Sequence, residues 1–256
     1  MDLLHDYHFY LLLVAAFTAG FVDAIVGGGG LIQLPAFFLA FPGLPPAVVL
    51  GSNKFASFSG TAVATARFVR QTKVRWDAVL PAIGTALIFS VIGAKLVTHF
   101  DKELFKPFVL GLLVVVAVYT FVKKDFGIAK REGVKGTKML VASLLTGAVL
   151  GLYDGFFGPG TGSFLIVIYV STFGFSFLDA SVSAKLVNCA TNVAALAYFI
   201  STGNIRFAIA IPVALCNIGG SLLGVRMALL KGSKFVRVLF LVVVTGMIVK
   251  FAWDLV

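Results

Sequence analysis

Long apolar segments separated by short polar connections dominate this chain of 256 residues. Many of the segments approach the roughly 20 residues with which an α-helix crosses a bilayer core about 30 Å thick. In the first part of the chain the pattern predicts helices over 9–26, 31–41, 46–69, 77–98 and 104–122. In the second part it predicts helices over 140–157, 162–172, 177–200, 208–229 and 235–253.

The two sets of segments are copies of one pattern, repeated 131 residues apart. Asp154 follows Asp23 by this distance, and Lys185 follows Lys54 by the same distance, without any gap. A repeat of this length predicts two related structural units. We place the first repeat at 1–122, a basic linker at 123–139 and the second repeat at 140–256, all within one membrane domain. The matching residues are glycines, prolines and single charges in apolar surroundings, a pattern typical of transporters built from two halves.

Glycine-rich breaks precede the second segment of each half. A run of four glycines, Gly27–Gly30, comes before 31–41, and the sequence Gly-Pro-Gly-Thr-Gly at 158–162 comes before 162–172. Glycine and proline interrupt helices, because glycine loses the most backbone entropy and proline lacks a donor. Broken backbone at membrane depth is tolerated where it is buried in protein or lines a wet cavity. Each short segment is therefore either a thin spanning helix or one arm of a re-entrant hairpin.

The composition supports a membrane protein. Hydrophobic residues make up 59% of the chain and charged residues 12%, whereas a soluble domain has roughly 25% charged residues. We therefore predict an all-α polytopic membrane protein with two inverted repeats and glycine-broken short helices near the midplane. Cys189 and Cys216 both lie in apolar segments, and no Cys or His cluster accompanies them. The sequence thus predicts no metal site, no cofactor and no disulfide framework.

The formal net charge of +10 is concentrated in a few connections. The basic stretches are 67–75, 123–138 and 231–237. Such clustering is the positive-inside pattern of cytoplasmic loops, and it favours contact with anionic lipids over binding of nucleic acid. The repeat partner of the 67–75 connection, 198–206, has Arg206 as its single basic residue. Equivalent loops thus carry opposite bias, which predicts inverted halves with both termini outside.

Two lysines within apolar segments are the principal candidates for function. Lys54 and Lys185 each lie within an apolar helix that is rich in small residues. An ammonium group at membrane depth costs about 2.5–3.5 kcal/mol on insertion scales, so an intramembrane charge suggests a functional site. The two lysines predict a cradle for an anion near the axis that relates the halves. The alternative is that each lysine extends to the membrane surface along its long side chain.

Polar neighbours extend the predicted cradle. Side chains that share a helical face with the lysines or lie beside them are Asn53, Ser57, Thr61, Asn188 and Asn192. Backbone amides at the start of a short helix form a natural anion site, and the candidates are Gly28, Gly29, Gly30, Gly160, Thr161, Gly162 and Ser163. Helix packing through small polar residues, and simple tight turns, are the alternatives.

Two aspartates lie one turn before the glycine breaks. Asp23 and Asp154 could brace the turns, pair with the lysines or carry a coupled proton. Gln33 and Tyr153 are polar neighbours that could take part in the same bracing or coupling.

The residues also resemble a known family. The stretches GFVDAIVGGGGLIQLPA followed by GSNK, and GLYDGFFGPGTGSF followed by SAKLVNCATN, are similar to the TauE/SafE sulfite-exporter family, also called the four-toluene-sulfonate uptake permease family. The resemblance covers essentially the whole chain, and it is strongest to the bacterial probable membrane transporters of that family. It implies a multi-pass carrier in the bacterial cytoplasmic (inner) membrane for small sulfur-containing anions such as sulfite, sulfoacetate or other organosulfonates.

We therefore expect a transporter, not an enzyme, that moves a small anion by alternating access and that could form a homodimer. Export is the expected direction, because an anion that leaves an inside-negative cell gains about 2.3 kcal/mol per 100 mV. The alternative is a carrier or passive channel for a different small anion, such as a carboxylate. An enzyme would need a nucleophile or a metal set, and the histidines His5, His8 and His99 lie at segment ends.

Overall fold

The computed structural model describes residues 7–99 and 133–253, which form helices and contain no strand. The helices of the first half are α1 (Tyr7–Val26), α2 (Gly30–Ala40), α3 (Pro46–Gln71) and α4 (Trp76–Thr98). Those of the second half are α5 (Gly136–Phe156), α6 (Thr161–Ser171), α7 (Phe177–Ser201) and α8 (Phe207–Trp253). These helices confirm the predicted all-α class, and most of their ends lie within two residues of the predicted ends. The predicted helix at 104–122 lies outside the described residues.

The last segment, α8, contains the two helices that the sequence predicts at 208–229 and 235–253. They meet at a kink at Gly232 within the segment Phe207–Trp253. Gly232 has φ 66° and ψ −164°, which is non-helical backbone. Glycine adopts positive φ without a steric penalty, so the chain changes direction here without an intervening loop.

Among the residues that the structure describes, four helices are long and apolar enough to cross a membrane: α1, α4, α5 and the part of α8 from Phe207 to Gly232. Each of them exposes large apolar side chains, for example Val14, Leu80, Val149 and Leu215. A surface of this kind suits the hydrocarbon of a bilayer, because a soluble protein rarely exposes extensive apolar area. Helices α3 and α7 are also long, but they bury lysine and amide side chains and lie in the interior.

Both short helices turn back beside the helix that precedes them. The Phe9 ring at the start of α1 and the Phe41 ring after α2 lie 6.4 Å apart between centroids. In the second half the Val134 N–H before α5 donates a hydrogen bond of 3.0 Å to the Thr172 carbonyl after α6. A helix of 11 residues is only about 16 Å long. The α1–α2 and α5–α6 pairs are therefore hairpins that return to the face from which they started.

Helices from opposite halves pack in matching pairs. Gly224 of α8 packs against the Phe21 backbone of α1, and Gly93 of α4 packs against the Leu152 backbone of α5. A Cβ at either glycine would collide with the facing carbonyl oxygen. Gly93 and Leu152 are the repeat partners of Gly224 and Phe21, so exchanging the halves reproduces the contact. The two halves are thus related by an approximate two-fold axis.

Equivalent helices of the two halves run in opposite directions. Near the start of α3, Ser52 accepts a hydrogen bond of 3.0 Å from the Arg206 N–H, which follows the end of α7. In the last third of α3, the Thr65 hydroxyl donates to the carbonyl of Lys185, which lies in the first half of α7. Helices α3 and α7 are therefore antiparallel although they are repeat partners. This arrangement confirms the predicted inversion of the repeats.

Two apolar cores lie one above the other, with a polar layer between them. We call the side where α1 and α3 begin the first face, and the side where α5 and α7 begin the second face. The core towards the first face includes Leu12, Phe37, Leu50, Phe199 and Val213. The core towards the second face includes Phe68, Leu165, Tyr169, Val182 and Val225.

The described basic residues collect mainly on the second face. Those at helix ends or connections there are Arg70, Lys73, Arg75, Lys135, Lys138 and Lys231. The Arg75 guanidinium lies 4.8 Å from the centroid of the Phe175 ring. This contact joins the α3–α4 connection to the α6–α7 connection. The positive-inside rule would place the second face in the cytoplasm. Membrane orientation, and with it the position of the termini, stays a prediction.

Candidate functional site

Two ion pairs occupy the polar layer, and each joins one half of the molecule to the other. The Lys54 ammonium lies 2.6 Å from the Asp154 carboxylate, with both side chains at most 5% exposed. The Lys185 ammonium lies 2.5 Å from the Asp23 carboxylate, which is 18% exposed. The second pair is the repeat image of the first. Of the three roles considered for the aspartates, the structure shows direct pairing with the lysines.

The positions of the lysines along their helices explain why they reach this layer. Lys54 and Lys185 each lie eight residues after the first residue of their helix, which is about 12 Å along the axis. Both residues are at least 96% buried. The alternative in which each lysine extends to the membrane surface is therefore wrong, because both ammonium groups end on buried carboxylates.

The tips of the two hairpins meet beside the ion pairs. Gly27 lies against the backbone of Gly162, and the Ser163 hydroxyl donates 3.2 Å to the Val26 carbonyl. Gly27 has φ 71° and Gly158 has φ 96°, a conformation that favours glycine. A Cβ at Gly158 would also come within 3.0 Å of the Lys54 ammonium. The glycines therefore permit both the turns and the close approach of backbone to charge.

A polar cavity lies between the hairpin tips and the interior helices. Its volume, including the open part, is ≈ 360 Å³. Its lining is formed by Asp23, Gly28, Gly30, Asn53, Lys54, Ser57, Asp154, Gly158, Pro159, Gly160, Gly162, Asn188 and Asn192. The structure thus brings together eleven of the candidate site residues that the sequence singled out. Lys185 is absent from the lining, so the two lysines are not equivalent.

Amide side chains surround the Lys54 pair. The Asn188 amide nitrogen donates 3.4 Å to the Asp154 carboxylate, and Asn192 donates 3.2 Å to the Asn188 side-chain oxygen. On the opposite side, Gln33 and Asn53 are joined by a hydrogen bond of 2.9 Å. Gln33 is joined in turn to Asn217 of α8 at 2.7 Å. These groups stabilise a buried layer that would be unfavourable if its polar atoms lacked partners.

Asn217 is a residue that the sequence reasoning missed. It is a single amide within an apolar segment, and that isolation is the signal that could have identified it. The Asn217–Gln33–Asn53 chain has no counterpart in the other half, where the equivalent residues are Ala86, Phe164 and Ala184. The site is consequently asymmetric, with more amide groups near Lys54 than near Lys185.

Several predicted residues lie near the cavity without lining it. The Thr61 hydroxyl donates 3.3 Å to the Asp23 carboxylate, and the Thr161 hydroxyl donates 2.7 Å to the Gly158 carbonyl within the turn. Gly29 packs against α1 at Ala19 and Asp23. The Tyr153 hydroxyl donates 2.6 Å to the Pro159 carbonyl, so it braces the second glycine turn. Their contacts position the hairpins and the carboxylates.

The formal charges of the polar layer cancel, since two ammonium groups face two carboxylates. The predicted cradle is therefore not a site of free positive charge in this arrangement. Within residues 7–99 and 133–253, no group of three or more His, Cys, Asp or Glu side chains could hold a metal ion. Cys189 and Cys216 are free thiols. The groups that the site presents to a ligand are ammonium groups, side-chain amides and the backbone of the two glycine turns.

The inverted helices and the buried site of charged and amide groups define a polytopic protein of the transporter class. The chain belongs to the sulfite exporter TauE/SafE family, whose model matches residues 12–251. It is a membrane transporter of that family. This confirms the resemblance that the two glycine-rich motifs indicated.

Three relatives illustrate the family membership. The chain is 33% identical to the probable membrane transporter protein ORF9 of Sinorhizobium sp, over 98% of this chain and 96% of the relative. It is 32% identical to a probable membrane transporter protein of Haemophilus influenzae, over 95% and 94% respectively. It is also 32% identical to the probable membrane transporter protein YfcA of Escherichia coli K12, over 95% and 89%. No solved structure matches the chain.

Proposed function

We propose that the protein carries small sulfur-containing anions, such as sulfite, sulfoacetate or another organosulfonate, across the bacterial inner membrane. The observation that carries this proposal is the cavity in the polar layer, where Lys54 and three asparagines face the tips of two glycine hairpins. These groups complement an anion that accepts several hydrogen bonds. Sulfonate and sulfite oxygens accept hydrogen bonds from several directions, which suits donors on three sides.

Alternating access follows from the position of this layer. The cavity lies in the polar layer between the apolar cores of the two faces. Opening one core while the other stays closed would expose the same site to the two sides in turn. Inverted repeats make the two openings related motions of equivalent helices. The two ion pairs, each of which joins a lysine of one half to an aspartate of the other, lie in the layer around which such a motion would occur.

Lys54 is the lysine that we assign to the substrate. It lines the cavity, whereas Lys185 is buried against Asp23 and does not. Asn53, Asn188 and Asn192 lie on the cavity wall near Lys54. Backbone at Gly28, Gly30, Gly160 and Gly162 completes the wall. We assign outward movement to the substrate, as expected for a metabolic anion that leaves down its own gradient.

The sulfur assignment has a specific test. Proteoliposomes would be assayed for uptake of sulfoacetate and of malonate, which carries a carboxylate in place of the sulfonate. We expect saturable sulfoacetate flux that is lost in Lys54→Met and kept in Lys95→Met, because Lys95 is an exposed lysine near the end of α4. Equal flux of malonate would show that the protein is a general anion carrier and is not selective for sulfur-containing anions. Conductance without saturation would favour a passive channel.

A further inference from the structure

The charge balance of the polar layer poses a problem for any anion that enters it. Lys54 is already held by Asp154 at 2.6 Å, and Lys185 by Asp23 at 2.5 Å. An added anion would leave net negative charge in a buried space, where an uncompensated charge is strongly unfavourable. The anion and Asp154 would also compete for the same ammonium group. A positive charge must therefore arrive together with the anion.

We propose that this charge is a proton, and that Asp154 is the group that receives it. The proposal rests on the proposed function, and it adds the coupling ion. Protonation converts the Asp154 carboxylate into a neutral carboxylic acid, with the proton drawn from water. The Lys54 ammonium then loses its partner and donates its hydrogen bonds to the bound anion. Release of the anion reverses both steps, so one proton accompanies each anion.

Asp154 is favoured over Asp23 by its position relative to the cavity. Both carboxylates line the cavity, but the partner of Asp154 lines it as well, whereas the partner of Asp23 does not. Protonation of Asp154 thus releases an ammonium group that an anion can reach. Asn188 remains beside the carboxyl group, because its amide lies 3.4 Å from the second Asp154 oxygen. Protonation of Asp23 would instead release Lys185, which is 99% buried.

The surroundings of Asp154 hold few other groups that could take the proton. The titratable and charged groups on the elements around this layer are Lys54 on α3, Asp23 on α1, Tyr153 on α5, and Lys185 and Cys189 on α7. Asp23 and Lys185 neutralise each other, and the Tyr153 hydroxyl is bound to the Pro159 carbonyl. Helices α4 and α6 contribute the hydroxyl side chains Ser90, Thr161 and Ser163 to this region.

The proposal changes the expected energetics of transport. A monovalent anion that moves with one proton carries no net charge across the membrane. For a monovalent anion the gain of about 2.3 kcal/mol per 100 mV, available to the unaccompanied ion, then disappears, and for divalent sulfoacetate the gain falls by half. Outward transport then requires an anion gradient that exceeds the opposing proton gradient, and a smaller anion gradient gives import.

The test measures binding of sulfoacetate to the purified full-length protein between about pH 6 and pH 8, a range in which both acidic groups of this probe stay ionised. We expect affinity to rise as the pH falls, by up to about tenfold per pH unit for one linked proton. Calorimetry in buffers of different ionisation enthalpy should show uptake of one proton per bound anion. Binding without proton uptake, and with the same affinity across the range, would overturn the proposal while leaving the proposed function intact. Absence of sulfoacetate binding throughout would count instead against the proposed function.

Matched variants identify the carboxylate. Asp154→Asn copies the neutral form, so it should bind sulfoacetate at neutral pH at least as tightly as wild type does at low pH, without proton uptake. Asp23→Asn is the matched control in the other ion pair, and it should keep the pH dependence. Loss of the pH dependence in Asp23→Asn alone would overturn the assignment to Asp154. If neither variant folds, proton uptake by the wild-type protein still decides whether a proton accompanies the anion.

Discussion

The Lys54 ammonium lies 2.6 Å from the Asp154 carboxylate, although the two residues belong to different repeats. The same relationship recurs between Lys185 and Asp23. Each half thus supplies the cation of one pair and the anion of the other. The pairs lie in a polar layer between two apolar cores, so they join the halves at the level where a transported ion must pass.

Removing one partner of an ion pair should lower the stability of the protein more than removing both charges does. Lys54→Met leaves the Asp154 carboxylate buried without a counterion, and breaking a buried pair in this way costs about 3–5 kcal/mol. Lys54→Met combined with Asp154→Leu removes both charges and should recover much of that loss. Thermal unfolding in detergent compares the variants. A single variant as stable as wild type would show that the pair contributes little to the fold, and a double variant no more stable than the single one would contradict the expected recovery.

The close approach of α1 to α8, and of α4 to α5, depends on glycine. Gly93→Val should destabilise the protein by about 1–3 kcal/mol, because the side chain would collide with the Leu152 backbone. Gly84→Val on the same helix α4 is the control, since nothing lies within 4 Å of a Cβ there. Both stabilities are measured by thermal unfolding. Similar losses at the two sites would contradict the proposed tight packing of α4 on α5.

The amide chain in the first half should support the site. Gln33 is fully buried and joins Asn53 to Asn217. Gln33→Leu would leave both asparagines without this partner, at a cost of about 1–3 kcal/mol. Since Asn53 lines the cavity, sulfoacetate affinity should also fall. The control is Phe164→Leu at the repeat-equivalent position, which should leave the affinity nearly unchanged; an equal loss in this control would argue against a special role for the amide chain.

Membrane orientation can be tested by labelling a single introduced cysteine on each face. In a background with Cys189→Ala and Cys216→Ala, Ser201→Cys at the end of α7 should react with an impermeant maleimide in intact cells. Lys138→Cys at the start of α5 should react only after the membrane is opened. The basic residues of the second face are the physical reason for this expectation. The opposite labelling pattern would reverse the assigned orientation.

The sequence predicted much of the fold because the repeat is strict. Asp23 and Asp154 keep the same distance from their glycine breaks, so the breaks before both short helices could be located from the sequence. The charge bias of equivalent loops predicted the inversion. It was harder to predict that α2 and α6 turn back, because an apolar segment of this length is compatible with either a thin spanning helix or a hairpin. The contacts between Phe9 and Phe41, and between Val134 and Thr172, decide the question.

The site could be predicted only as a set of residues. Lys54 and Lys185 were identified as buried charges, but sequence periodicity does not reveal which carboxylate each ammonium faces. The pairing crosses the halves and depends on the antiparallel contact of α3 with α7. The two equivalent lysines also suggested a symmetric cradle, whereas only Lys54 lines the cavity. The asymmetry arises from single differences, such as Asn53 against Ala184, whose effect depends on packing.

Counterflow of sulfoacetate in proteoliposomes tests the central claim most directly. Vesicles loaded with unlabelled sulfoacetate should transiently accumulate labelled sulfoacetate from outside, since a carrier with one alternately exposed site exchanges the two. The accumulation should be lost in Lys54→Met and retained in Lys95→Met. Absence of counterflow in a folded wild-type protein, or accumulation that persists without Lys54, would contradict a sulfur-oxyanion carrier whose binding site is centred on Lys54.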